Sequence, residues 1–325
     1  MGALRAEARA GGDRVRRRRH RRRRAARLRE ARRAAIAEGR HRAADQISVC
    51  RARGAQRAVR ARPLSRVRLG AVSYLNVRPL VYGLERRDDV SLRFDVPSEC
   101  ARLLAAGEID LGMVPSITYL DRPTDRIVPG VCIGSDGPVA SVALFARKPI
   151  HDVRSIALDT SSRTSAMLTK VLCARKFGIA PAFVPHQPDL AGMLASADAA
   201  LLIGDPALFV DYAALGATKI DLGDAWTSMT GLPFVWAVWS GPSDAVTART
   251  VSVLNDAARD GGGHLDAIAD EYCADRPERR GAARAYLRNN LRFALDARAI
   301  DGLRTYFREA ASLGLVADRA LEWFA

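Results

Sequence analysis

The sequence predicts an α/β protein of two lobes that close on a ligand held in the cleft between them. Three observations point there. Residues 67–203 alternate twice between runs with the two-residue period of a strand and runs with the 3.6-residue period of a helix. Two extended apolar stretches, 139–145 and 234–239, flank the second alternating set and read as crossings between lobes. Ala199–Ile203 is apolar without a break, the mark of a central strand covered on both faces.

The elements follow in order. Val67–Val72 and 92–96 alternate apolar with polar residues, the second through Leu92, Phe94 and Val96. A third strand is expected at 109–114, before Pro115-Ser116. Ser98 is the candidate N-cap of the intervening helix, which carries Leu103 and Leu104 and stops at Gly107. Stretch 139–145 is a strand closed by Lys148-Pro149. The second set opens with a strand at 155–158 and a turn at 159–162. A helix then runs to Phe177 with Leu168, Val171 and Leu172 on one face and Gly178 as its stop. A brief strand at Phe183-Val184 and a short helix at 188–196 lead to Ala199–Ile203. From Val246 the pattern is helical, with Leu303, Tyr306, Phe307 and Ala310 on one face and Gly261-Gly262-Gly263 as a flexible joint. The expected organisation is a tail over 1–66, a first lobe of 67–146 plus 237–325, and a second lobe of 147–236.

Charge separates tail from body. The 325 residues carry a net +15, but residues 1–66 hold 23 arginines against 5 acidic residues, a balance of +18, which leaves the body at −3. All twenty aromatic residues lie in the body. The arginine-rich tail has too few large apolar residues to offset chain entropy, so disorder is expected. Its composition suits upstream sequence translated from an early start codon. The alternative is a polybasic arm for nucleic acid or anionic lipid. The body offers no basic face for nucleic acid. Five dispersed cysteines with no C-x-x-C pair fit a reducing compartment, and no apolar run approaches the ~18 residues of a membrane span, so the body is expected in the cytoplasm. The sequence leaves the oligomeric state open.

Candidate site residues cluster at strand-to-helix junctions, where backbone N–H groups are free to meet an anion. Ser73, Tyr74 and Asn76 follow the first strand, Ser116 the third. Ser162, Arg163, Thr164 and Ser165 open a helix with hydroxyls and one cation, a combination suited to a carboxylate or phosphate. Asp205 follows the continuous apolar strand. Each has a structural alternative: Ser162 as an N-cap, Asp205 before Pro206 as another, Asn76 as a turn residue. Body histidines His151, His186 and His264 pair with no cysteine or acid at metal-ligand spacing, so no metal site is expected. With no P-loop, G-x-G-x-x-G or G-x-S-x-G either, the protein is expected to work without a cofactor.

These same junctions resemble the menaquinone-biosynthesis chorismate dehydratases. The residues that carry the likeness are Ala71-Val72-Ser73-Tyr74-Leu75-Asn76 with Arg78-Pro79-Leu80, 107–112 with Val114-Pro115-Ser116, Gly137-Pro138-Val139, 159–165, 200–205 and 230–234. The resemblance spans 67–325 and none of the tail. It implies a fold like type 2 periplasmic binding proteins and a hydro-lyase reaction. Chorismate would lose water to give 3-[(1-carboxyvinyl)oxy]benzoate, the first step of the futalosine route to menaquinone. It also suggests roles: Arg163 with the Thr164 and Ser165 amides for a substrate carboxylate, Ser116 and Ser73 as hydrogen-bond partners from the other lobe, and Asn76 nearest the chemistry. Tyr74, Ser162 and Asp205 complete the expected substrate contacts. Two rivals remain. Dihydroxynaphthoate synthase shares the fold, and its family is expected to place a catalytic histidine where this chain has Gly204. A solute-binding protein should carry an export signal, and none is visible.

Overall fold

A computed structural model describes residues 66–323. The tail expectations and Cys50 lie outside the described residues, as do residues 324–325.

The strands form two sheets. The first has the order β11-β4-β10-β3-β1-β2 and the second β7-β6-β8-β5-β9. In the first, β1 (Val67–Val72) lies parallel between β2 (Val90–Asp95) and β3 (Leu111–Pro115). Helix α1 (Pro97–Ala105) makes the crossover between the parallel strands β2 and β3. It starts with Pro97 at its first turn and no side-chain cap. The expectation for Ser98 is therefore corrected: Ser98 lies inside the helix, because Pro97 already supplies the helical φ and lacks an N–H to cap.

β4 (Asp125–Ser135), β10 (Phe234–Pro242) and β11 (Arg292–Leu295) extend this sheet antiparallel. The second sheet repeats the plan. Strands β6 (Ser155–Asp159), β7 (Ala182–His186) and β8 (Ala199–Ile203) are parallel, with β5 (Val142–Ala146) and β9 (Thr218–Asp221) antiparallel at the other side. All of β5 pairs in the second sheet and all of β10 in the first. The chain thus crosses between sheets at 136–141 and returns at 231–233.

Both crossings are held in place. Helix α2 (Arg163–Leu172) is capped by Ser162 and continues into a π turn, Cys173–Phe177, stopped by left-handed Gly178. Helices α3 (Leu190–Ser196) and α4 (Gly204–Phe209) flank β8. Helix α5 (Leu222–Thr230) is capped by Asp221, whose carboxylate also accepts from the Val139 and Ala140 amides at 3.0 and 2.6 Å. That grip holds Ala140 at φ 64°, a left-handed conformation that costs a non-glycine residue roughly 1–2 kcal/mol. At the return crossing Trp226 packs edge-on against Phe234 and Tyr306, with centroids 5.3 and 6.0 Å away.

The C-terminal part is not wholly helical as expected, since β11 interrupts it. Its helices are α6 (Ala248–Gly262), α7 (Leu265–Tyr272), α8 (Arg280–Ala285) and α9 (Ala297–Ser312). The glycine triplet is not a free joint either. Helix α6 runs through Gly262, and a Cβ on Gly261 would sit 2.0 Å from the Pro79 carbonyl oxygen. Only glycine lets α6 press against the 3-10 segment Leu75–Val81 that carries Asn76.

Candidate active site

The cleft is assembled from the carboxyl ends of β1, β3 and β8, the outgoing crossing, β10 and the start of α2. Tyr74 and Asn76 come from the turn after β1; Ser162 and Ser165 come from the first turn of α2. Val139, Ser141 and Val142 come from the outgoing crossing, Trp236 and Ala237 from β10, and Ile203 and Gly204 from the end of β8. Trp236 sits where β10 slips register against β4, a bulge that turns its ring into the cleft and its Nε1 onto Ser135 Oγ at 3.1 Å.

Among the described residues, the lining holds no Asp, Glu, His, Lys or Arg side chain. Its polar groups are hydroxyls and one amide. Ser162 Oγ caps the Ser165 amide at 3.4 Å. Ser141 Oγ lies 2.7 Å from the Tyr286 hydroxyl. Asn76 Oδ1 is buried with no partner among the described residues. Burial raises the Tyr74 phenol above its ordinary value, so it stays protonated at neutral pH. The cavity is about 50 Å³, against roughly 300–1000 Å³ for pockets that hold small molecules. The lobes must therefore part to admit a ligand.

Of the residues singled out in the sequence, Tyr74, Asn76, Ser162 and Ser165 line this pocket. The others do not. Thr164 and Ser116 are fully buried between the lobes: Thr164 Oγ1 accepts from the Ile117 amide at 3.2 Å, and Ser116 Oγ donates to the Val235 carbonyl at 2.8 Å. Arg163 turns outward and pairs with Asp121 of the other lobe at 2.5 Å, both half exposed. Asp205 faces the first lobe, accepting from the Leu75 amide at 3.2 Å and from the Tyr272 hydroxyl. Burial raises its carboxyl above the ordinary value. Ser73 contributes its carbonyl to Tyr272 at 3.1 Å rather than its hydroxyl to the pocket. Arg163, Thr164, Ser116 and Asp205 thus act across the lobe interface, where buried polar groups demand partners. Ser141, Trp236 and Tyr286 escaped the sequence reading, since a lone serine or tryptophan in an apolar run carries no periodic signal.

Gly204 has φ +66°, and a Cβ there would lie 2.7–2.9 Å from the Tyr74 ring. A histidine at this position has no room beside Tyr74. Among the described residues no three His, Cys, Asp or Glu side chains group as metal ligands, and no helix is long and apolar enough to cross a membrane.

Two α/β lobes closing on a cleft between crossing strands define a periplasmic-binding-protein-like fold. A protein of Archaeoglobus fulgidus shares it with a TM-score of 0.62 at 17% identity, over 77% of this chain and 98% of that one. The periplasmic aliphatic sulphonate binding protein of Escherichia coli shares it at 0.57 and 16%, over 80% and 90%. The chain belongs to the menaquinone-biosynthesis family, whose model matches residues 67–312. It is 33% identical over 220 residues to a chorismate dehydratase of Thermus thermophilus, covering 62% of this chain and 80% of that relative.

Proposed function

We propose that this protein is a chorismate dehydratase, a hydro-lyase that converts chorismate to 3-[(1-carboxyvinyl)oxy]benzoate and water on the futalosine route. The observation that carries the reading is the buried Asn76 Oδ1, without a partner among the described residues, in a cleft that these residues line with no charged side chain. The similarity to a chorismate dehydratase supports it.

Dehydration requires loss of a ring proton and of the neighbouring hydroxyl, and aromatisation drives the step. Asn76 Oδ1 accepts the hydrogen of that hydroxyl and fixes its direction of departure. The Ser162 and Ser165 hydroxyls, at the positive end of α2, receive a substrate carboxylate. Trp236, Ile203 and Val139 exclude water around the ring. With no basic side chain in the lining, a carboxylate of the substrate itself takes the ring proton and hands it to the departing hydroxyl, which leaves as water while the carboxylate is restored. Arg163 holds Asp121 at the rim and belongs to closure in this reading.

Incubating the full chain with chorismate decides the matter. Product lighter by one water, together with a rising aromatic absorbance, is the expected result. Chorismate bound but unchanged would favour a solute-binding role; no binding would overturn the choice of ligand.

A further inference from the structure

We infer that Tyr272 is a positioning residue, which together with Asp205 fixes the turn that carries Tyr74 and Asn76 when the lobes close; this rests on the dehydratase reading above. The 3-10 segment Leu75–Val81 begins without a cap of its own, since Tyr74 stands at the N-cap position in extended conformation and its side chain caps nothing. The first amides of a helical segment have no acceptor within it and must find one elsewhere. The Leu75 amide finds its acceptor 130 residues away, on Asp205 Oδ1 at 3.2 Å.

Tyr272, the last residue of α7, ties the other side of the turn to the same carboxylate. Its hydroxyl donates to Asp205 Oδ2 and to the Ser73 carbonyl at 3.1 Å, one proton shared between two acceptors. The residues on either side of Tyr74 thus converge on Asp205, Leu75 directly and Ser73 through Tyr272. The ring of Tyr272 is held as well. The Arg78 guanidinium, in the same 3-10 segment as Asn76, lies 5.4 Å from its centroid and 4.2 Å from that of Phe94. Tyr272 is not among the residues lining the cleft, so it acts on the chemistry only through this turn. Asp205 follows β8 of the second sheet, whereas the turn follows β1 of the first. Parting the lobes to admit substrate therefore takes Asp205 from both the Leu75 amide and Tyr272. Closure restores the two bonds, and Asn76 is aimed in the state that encloses the substrate.

Tyr272→Phe removes the hydroxyl and keeps the ring beside Arg78. In the full-length protein it is expected to lower kcat on chorismate roughly tenfold, with KM within about threefold. A kcat within about twofold of wild type would overturn the inference, as would a loss carried by KM alone. Asp205→Asn breaks the same node from the other lobe and should lower kcat to a similar extent. The double variant should be no slower than the slower single one, because both interrupt one chain of contacts; losses that multiply would mean that the two residues act separately. If Tyr272→Phe folds poorly, an unchanged kcat in Asp205→Asn is equally contrary. A second readout is independent of turnover. The Leu75 amide should exchange with solvent deuterium about tenfold faster in Tyr272→Phe than in wild type. Equal exchange rates would refute the positioning role even if wild type fails to turn over chorismate, whereas that failure alone would strike only the dehydratase reading.

Discussion

Among single residues, Asn76 and Gly204 both line the cleft, and Gly204 lies against the Tyr74 ring. A buried acceptor without a donor costs about 1–3 kcal/mol, and among the described residues Asn76 Oδ1 has none. Active sites tolerate such costs because the missing partner arrives with the substrate. Gly204 is constrained twice, by φ +66° and by the Tyr74 ring. Gly204→Ala is expected to destabilise the protein by about 2 kcal/mol or more, from left-handed strain and the ring contact. It should also raise KM by displacing Tyr74. Urea unfolding and steady-state kinetics check both, and an unperturbed variant would mean that Tyr74 moves aside freely.

Between elements, the start of α2 and the 3-10 segment Ser116–Asp121 meet across the lobe interface. The Arg163–Asp121 pair is half exposed, and such pairs contribute about 0–1 kcal/mol. Arg163→Ala and Asp121→Ala are therefore expected to raise KM by similar factors, no more than about fivefold each, with no further loss in the double variant. A rise near a hundredfold for Arg163→Ala alone would return Arg163 to direct contact with a substrate carboxylate.

The elements also differ in how far the sequence reveals them. The parallel halves of both sheets are readable because strand, helix and strand each carry their own period, as in Val67–Val72 and Ala199–Ile203. Of the antiparallel strands, β5 and β10 show as apolar runs, whereas β4, β9 and β11 do not. β4 is broken by Pro129-Gly130, β9 reads Thr-Lys-Ile-Asp, and β11 is four residues long; their pairing is decided by distant neighbours. Site residues at strand ends and helix starts stand out by position, yet their facing does not. Asp205 and Arg163 look like ligand groups in one dimension, and only the packed interface turns them onto Tyr272 and Asp121.

Across the whole molecule, carboxylates pull stability in two directions with pH. Burial raises Asp159 and Asp205 above the ordinary 3.8, so between that value and their folded values the native state holds protons that the unfolded chain has released. Stability accordingly falls as pH rises through this window. Asp198, Asp256 and Asp270, bonded to Lys148, Arg259 and Arg284, are lowered below 3.8. Their contribution is present above that value and is lost as pH falls below it, though solvent screens these exposed pairs. Thermal melts should show a maximum on the weakly acidic side, above about pH 4. Asp159→Asn should flatten the decline toward neutrality. A melting temperature that climbs steadily to pH 8 would contradict this balance.

If a cleft lined without charged side chains dehydrates chorismate, Asn76 is the group nearest the chemistry and its loss should fall on turnover rather than on binding. The decisive comparison sets the full-length wild type against Asn76→Ala, taking kcat on chorismate and the Kd of chorismate by calorimetry for each. Turnover by the wild type is expected, with a kcat lower by about a hundredfold in the variant and Kd values within about threefold of each other. Equal kcat values, or a wild type that binds chorismate and leaves it intact, would contradict the dehydratase mechanism.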